Sequence, residues 1–253
     1  MKIIDRLTQT SSGSAEAVSK AILFVMVISI VTGVTTAGLE VVDNVYTEET
    51  RDQNIDTLTE YQSNVIELSS EQGYGFPNTA TKTQQIDTYR SDLLLVNATS
   101  ATNIDVGSDI TINSRPLTFS GSEYKITYDA GIIGQRTLQR KSIVSHPIKD
   151  QYPNQNQHIL PLITTTYDTK TMFSGKTSAK TILIERSYAP ETETISSGTE
   201  INVNSNNPYL WEGLFEDHST IDVNGVSGNT INAEFTEDTK IYHYQVEIKQ
   251  TGV

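Results

Sequence analysis

The sequence has no cysteine and a single tryptophan, and its basic residues are far fewer than its acidic ones. Without cysteine there are no disulfides, and thiolate metal sites, thiol catalysis and a cysteine-linked lipid anchor are excluded. The 31 acidic residues exceed the 18 basic ones, which gives a net charge of −13. Because such a charge repels nucleic acid, the composition predicts no nucleic-acid partner.

Recognisable catalytic motifs are also missing. The four histidines lack the spacing of a metal site, and no GxSxG nucleophile elbow occurs. Gly175-Lys176-Thr177 resembles the end of a phosphate-binding loop, but Lys170 stands in place of that loop's first glycine. The sequence therefore predicts no enzyme activity, no catalytic residue, no metal, no cofactor and no small-molecule substrate.

One short run, Glu216-Asp217-His218, combines oxygen and nitrogen ligands. Adjacent side chains seldom face one metal ion, so we expect no metal to bind to this run, which follows the short helix. Glycosidase carboxylates need not be close in sequence, so the many acidic residues leave an exported hydrolase open as an alternative.

The most informative segment is an uncharged stretch from Ala21 to Leu39. As a helix it spans roughly 28 Å, close to the hydrocarbon thickness of a bilayer. Lys2, Arg6 and Lys20 precede it, whereas mainly acidic residues follow it. This bias predicts a single-pass cell-membrane protein with its N-terminus inside and its bulk outside the cell.

Three processing fates are open for this segment. A pilin-type signal would be cut after Gly13, so that Ser14 becomes the first residue and Glu16 the third, where its carboxylate can pair with the new α-amino group. A secretory signal would instead be cut between Ala37 and Gly38. An uncut segment would remain a simple membrane anchor.

Small residues recur every four positions in the apolar stretch. Ser29, Gly33 and Ala37 line one face of the predicted helix and permit close approach of a second helix. The partners predicted for this face are the membrane and other pilin-like subunits or further copies of the chain.

Hydrophobic spacing and turn residues divide the chain into four regions. We predict a leader over residues 1–20, a helix that is first hydrophobic and then amphipathic over 21–72, a linker over 73–92 and an exported β-rich domain over 93–253. The predicted fold class is α+β, with a long N-terminal helix, a mainly antiparallel β domain and one short helix. Asn97-Ala98-Thr99 is a possible glycosylation sequon.

Short β-type runs separated by turn residues fill the last region. Asn207 and Pro208 predict the start of the short helix. Two late strands are expected around an Asn224-Gly225 turn and a Ser227-Gly228-Asn229 break. The predicted strands are 93–96, 110–112, 124–128, 142–144, 159–166, 180–184, 201–203 and 240–248.

Several of these segments together resemble a group of haloarchaeal pilin-like exported proteins that carry a type IV pilin-like N-terminal signal. The resemblance is carried by Gly13 to Glu16, by KSIVSHPIKD (141–150), by HILPLITTT (158–166) and by INVNSNNPYLWEGLFED (201–217). It implies a place at the cell surface, on a membrane or in a type IV pilus-like filament, rather than a reaction.

The functional expectation is a structural or interaction protein held through its N-terminal helix. A singly anchored surface module that binds a glycan or an envelope protein is the alternative. Exposed clusters of tyrosine and tryptophan would favour that alternative.

Overall fold

Fifteen strands and two helices, α1 (residues 47–68) and α2 (Pro208–Glu216), account for most of the described part of the chain. Residues 22, 24–26 and 28 are also helical. The chain divides into two compact units, Met1–Glu49 and Thr50–Val253, and every strand lies in the second. The computed structural model describes residues 22, 24–26, 28, 47–68, 80–86, 92–95, 101–108, 110–146, 159–167, 180–186 and 191–251.

The predicted α+β class is wrong, because the described residues are mainly β-sheet with only short helices. No helix within them is long and apolar enough to cross a membrane. The β content was underestimated, because three strands with few apolar side chains were not among those predicted: β1 (Ala80–Ile86), β7 (Ile132–Thr137) and β11 (Glu191–Ile195). The strand β1 lies inside the segment 73–92, which the composition predicted as a linker.

The strands form three five-stranded sheets. Sheet I has the order β1-β10-β15-β11, with β9 on the other side of β15. Its further strands are β9 (Ile159–Tyr167), β10 (Lys180–Arg186) and β15 (Thr239–Thr251). Pairing is antiparallel except between β9 and β15, which run parallel.

Sheet II has the order β13-β14-β12-β3-β4 and sheet III the order β2-β5-β6-β7-β8. The strands of sheet II are β3 (Thr102–Val106), β4 (Ile110–Ser114), β12 (Glu200–Asn204), β13 (Ile221–Ser227) and β14 (Thr230–Phe235). Besides β7, those of sheet III are β2 (Asp92–Leu95), β5 (Leu117–Ser120), β6 (Tyr124–Asp129) and β8 (Lys141–Ser145).

The late hairpin turns at the second of the two predicted breaks. Gly228 and Asn229 connect β13 to β14, whereas Asn224 and Gly225 lie inside β13 at a register shift. Gly228 has a φ of 61°, as a tight hairpin turn commonly requires, whereas neither Asn224 nor Gly225 has a positive φ. The predicted Asn224-Gly225 turn is therefore wrong, and the predicted break at Ser227-Gly228-Asn229 is confirmed.

Helix α1 packs one apolar stripe into the core of the second unit. Leu58, Tyr61, Val65 and Leu68 are at most 1 % exposed, and they belong to a cluster with strands of sheets I and III. Tyr61 meets Tyr128 of β6 edge to face, with ring centroids 4.8 Å apart. Burying each such side chain contributes roughly 1.5–3 kcal/mol, so residues 50–68 are an integral part of the β-rich unit.

Helix α2 covers a second core, formed with sheet II and part of sheet I. Its buried residues are Leu210, Trp211, Leu214 and Phe215, which confirms the predicted apolar face. A Cβ at Gly134 of β7 would overlap the Leu210 side chain, so the missing side chain there admits the helix.

Candidate functional site

The histidines of the described residues are separated and each has its own partner. His146 Nε2 lies 3.2 Å from Asp217 Oδ2, and His218 Nε2 lies 3.1 Å from the carbonyl oxygen of Ile159. His243 Nε2 lies 2.9 Å from Thr164 Oγ1. Burial lowers the pKa of His243, although the nearby Glu191 carboxylate acts to raise it. The described residues contain no group of three or more ligands able to hold a metal.

The most constrained polar group is the carboxylate of Asp129, at the end of β6. It is completely buried, and its Oδ2 accepts hydrogen bonds from Thr102 Oγ1 at 2.6 Å, Ser205 Oγ at 3.2 Å and Trp211 Nε1 at 3.2 Å. Burial raises the pKa of Asp129 to about 6, although the hydrogen bonds from Thr102, Trp211, Ser205 and Ser114 act to lower it. A buried carboxylate with several donors fixes the relative positions of the elements that supply them.

The turn after Asp129 is buried as well. Ala130 and Gly131 have φ values of 49° and 101°, and they connect β6 to β7 as a two-residue turn. Gln62 Nε2 of α1 donates to the carbonyl oxygen of Gly131 at 2.6 Å, and Ile163 N of β9 donates to that of Ala130 at 3.3 Å. Hydrogen bonds thus connect the turn to α1 and sheet I, and Asp129 connects it to α2 through Trp211, which is a structural role.

The opposite end of the same hairpin is exposed and cationic. Lys125 of β6 pairs with Arg136 of β7, and Arg136 pairs with Lys141 of β8, so the three cations lie in register on neighbouring strands. All three are exposed. No described carboxylate forms an ion pair with any of them. We call these three residues the cationic row.

A tyrosine ring and an open groove lie next to the cationic row. Lys141 Nζ lies 5.7 Å from the centre of the Tyr209 ring at the start of α2. Burial raises the pKa of Tyr209 to about 12 despite the nearby Arg136 charge, so this phenol stays neutral. An open groove of about 700 Å³ lies between the β5–β6 and β7–β8 turns, and among its lining residues are Ser122, Glu123, Lys125, Arg136, Arg140 and Lys141.

The cationic row can bind carboxylates, sulfates or phosphates by charge and hydrogen bonding. Like charges placed directly opposite each other on adjacent strands destabilise a sheet, so the row has a cost within the isolated chain. An external anion would remove that cost.

The comparisons with known proteins give one match. The model of a family of unknown function, DUF7289, matches residues 13–251. The chain belongs to the DUF7289 family. The match includes the apolar stretch, Asp129 and the cationic row, so all three lie within the part of the chain that this family covers. No curated protein and no solved structure matches the chain significantly.

The site residues predicted from the sequence lie outside the described residues. This holds for the processing residues Gly13, Ser14 and Glu16, for the helix-packing residues Ser29, Gly33 and Ala37, and for the sequon at Asn97. The run Glu216-Asp217-His218 does not converge, since Asp217 contacts His146 and His218 contacts Ile159 and Thr220.

Sequence reasoning missed both Asp129 and the cationic row. Asp129-Ala130-Gly131 between two apolar runs is a usable hairpin signal, and Trp211 needs a buried partner for its indole N–H. The cationic row has no local signal, because its members are brought together only by the register of three strands.

Proposed function

We propose that this protein is a pilin-like surface protein, held through its apolar N-terminal segment in a membrane or against other subunits. The main support for this proposal is that large apolar side chains are exposed on helical residues. Ile22, Phe24, Val25, Met26 and Ile28 are 48–66 % exposed. Exposed apolar surface of this kind is unfavourable in water and is typical of a segment that contacts lipid or another protein.

The charges that flank residues 21–39 support the same proposal. Lys2, Arg6 and Lys20 precede the uncharged stretch, while Glu40 and Asp43 begin an acidic segment after it. Under the positive-inside rule this arrangement favours an external β-rich unit. The DUF7289 match begins at Gly13 and includes the apolar stretch, so that stretch is part of the family's shared sequence.

The alternative of a glycan-binding module receives no support from the described aromatic residues. Trp211 is completely buried against Asp129, and Tyr61, Tyr124, Tyr128 and Tyr244 are at most 6 % exposed. Tyr209 and Tyr242 are half-buried and do not form an exposed cluster with a tryptophan. An aromatic platform for sugars would require such rings at the surface. The exported-hydrolase alternative needs a perturbed carboxylate pair in a cleft, and the raised pKa of Asp129 belongs to a buried structural group.

The test is the N-terminal residue of the mature protein, measured by intact-mass and peptide mass spectrometry on protein extracted from its native membrane. We expect a first residue of Ser14, with residues 21–39 retained. A protein that begins at Gly38 would contradict the proposal, because the apolar segment would be lost. An intact Met1 would reduce the proposal to a single anchor without pilin-type processing.

A Gly13→Leu variant provides the matched control for this measurement. It should block cleavage and keep the protein in the membrane fraction at its full precursor mass. A Gly225→Leu variant would change a glycine far from the cleavage position, where an added Cβ meets nothing within 4 Å, and its processing should equal that of the native sequence.

A further inference from the structure

A row of carboxylates on sheet II mirrors the cationic row on sheet III. Asp222 of β13 pairs with Glu234 of β14, and Glu234 pairs with Glu200 of β12. Asp222 and Glu200 are exposed and Glu234 is half-buried. The three like charges lie directly opposite one another, so this carboxylate row also carries a repulsive cost in the isolated chain.

The two rows have the same geometry because strand spacing sets both. Neighbouring strands lie about 4.8 Å apart, so three in-register charges on three strands extend over roughly 10 Å. Each row crosses three consecutive strands of one antiparallel sheet. One row placed against the other would therefore bring three cations opposite three carboxylates.

The rows do not neutralise each other within one chain. None of the ion pairs among the described residues joins Lys125, Arg136 or Lys141 to Glu200, Glu234 or Asp222. The described ion pairs of the sheets lie elsewhere, for example between Lys249 and Glu185. Contact between the rows therefore requires a second molecule.

We propose that the cationic row of one copy binds the carboxylate row of another copy. A flexible polyanion would satisfy only the cationic row, and a cationic partner only the carboxylate row, whereas a second copy of this chain relieves the repulsion in both. The contact uses different surfaces of the two copies, so it is head-to-tail and can continue into a linear array.

This contact extends the proposed assembly role but is separable from it. Both rows lie in the unit Thr50–Val253, whereas the apolar stretch lies in residues 21–39. Loss of the apolar contact would remove membrane attachment and leave the row contact in place. Loss of the row contact would leave an anchored protein without this lateral association.

The first experiment joins carboxylates to amines at zero length with a carbodiimide. The full chain would be prepared in mild detergent as an equal mixture of ¹⁴N- and ¹⁵N-labelled protein, in about 0.1 M salt to limit screening. We expect mixed-isotope peptides that join Lys125 or Lys141 to Glu200, Glu234 or Asp222. Crosslinks confined to one isotope, or mixed-isotope crosslinks that avoid both rows, would overturn the proposal.

Charge reversal provides an independent test. Lys125→Glu with Arg136→Glu and Lys141→Glu gives a chain with two acidic rows, and Glu200→Lys with Glu234→Lys and Asp222→Lys gives one with two basic rows. For each variant alone, the self-association constant measured by sedimentation velocity should fall at least 10-fold. An equal mixture of the two variants should restore association. A mixture that stays dissociated, with both variants folded by circular dichroism, would contradict row-to-row pairing.

Two controls separate the remaining explanations. A Phe24→Lys, Ile28→Lys variant should lose membrane attachment and keep the row crosslinks, so failure of the row contact and failure of the anchoring proposal are distinguishable. Inorganic polyphosphate is the probe for a polyanion partner. Polyphosphate binding that depends on Lys125, Arg136 and Lys141 in a chain without inter-chain crosslinks would replace the second copy as the partner.

Discussion

The hairpin formed by β6 and β7 carries a buried charged group at one end and exposed charged groups at the other. At the Asp129 end a carboxylate is completely buried, and three side chains from other elements donate hydrogen bonds to it. At the Lys125 end the cations Lys125 and Arg136 face each other in water without a described counter-ion. The first end holds the unit together, and the second is available to a partner.

The difference shows how position decides the role of a charge within one supersecondary element. A buried charge is tolerated only where the chain supplies hydrogen bonds, since desolvation without compensation is expensive. An exposed charge has no such requirement, and a repulsive pair can persist at a modest cost. Substitutions at the two ends should therefore differ strongly in their effect on folding.

The largest expected effect comes from Asp129→Ala. Three buried donors would lose their common acceptor, and each unsatisfied donor costs about 1–3 kcal/mol, partly offset by removal of the buried charge. We expect a net loss of about 2–4 kcal/mol in urea unfolding. Asp56→Ala on the exposed side of α1 is the control and should change stability little. Equal stability of the two variants would refute a central role for Asp129.

The protonation of Asp129 should make stability depend on pH. Its folded-state pKa of about 6 lies above the ordinary 3.8, so in that window the folded protein keeps a proton that the unfolded chain has released. Stability from this group therefore falls as the pH rises through the window, by about 3 kcal/mol in total, and levels off above it.

Asp129→Asn isolates this contribution, because an amide keeps an acceptor oxygen and does not ionise. Unfolding free energies of the native protein and the variant should be compared from about pH 4 to about pH 7. We expect the unfolding free energy of the variant to increase relative to that of the native protein as the pH rises. A constant difference across this range would show that Asp129 is not the titrating group.

The elements recovered from the sequence are those with local signals. Helix α2 was predicted with its buried face, because Pro208 at its start and the spacing of Leu210, Trp211, Leu214 and Phe215 are all local features. Strands with apolar cores, such as β9 and β15, were also predicted. The apolar spacing predicted for α1 matches its buried stripe, but the packing of that stripe against sheets I and III could not be predicted from the sequence.

The remaining features depend on pairing between distant strands. The polar strand β7 was missed, and without it neither the buried turn nor the cationic row can be assembled. Two residues eleven positions apart, Lys125 and Arg136, become neighbours only through the register of one hairpin. A single sequence contains little information on register where neither face has a strong hydrophobic alternation.

The buried end can be perturbed more gently at its turn. Gly131 has a φ of 101°, which L-residues other than glycine rarely adopt, and its carbonyl accepts a hydrogen bond from Gln62. Gly131→Ala should therefore cost about 1–2 kcal/mol in urea unfolding. Gly225→Ala is the matched control, because a Cβ there meets nothing within 4 Å. A smaller effect at Gly131 than at Gly225 would contradict the strain argument.

The smallest effect, and one of opposite sign, is expected at the exposed end. Arg136→Thr removes the central cation of the row and so relieves its repulsion with both Lys125 and Lys141, which should stabilise the isolated chain by about 0.2–1 kcal/mol. The gain should shrink as salt is raised from about 0.1 M to about 1 M, because screening weakens exposed charge interactions. Lys82→Thr is the control, because Lys82 forms an ion pair with Glu67. Removing this paired cation should leave stability unchanged or lower it slightly. Destabilisation by Arg136→Thr at low salt would mean that Arg136 stabilises the folded chain. The charge of Arg136 would then not be unfavourable in the absence of a partner.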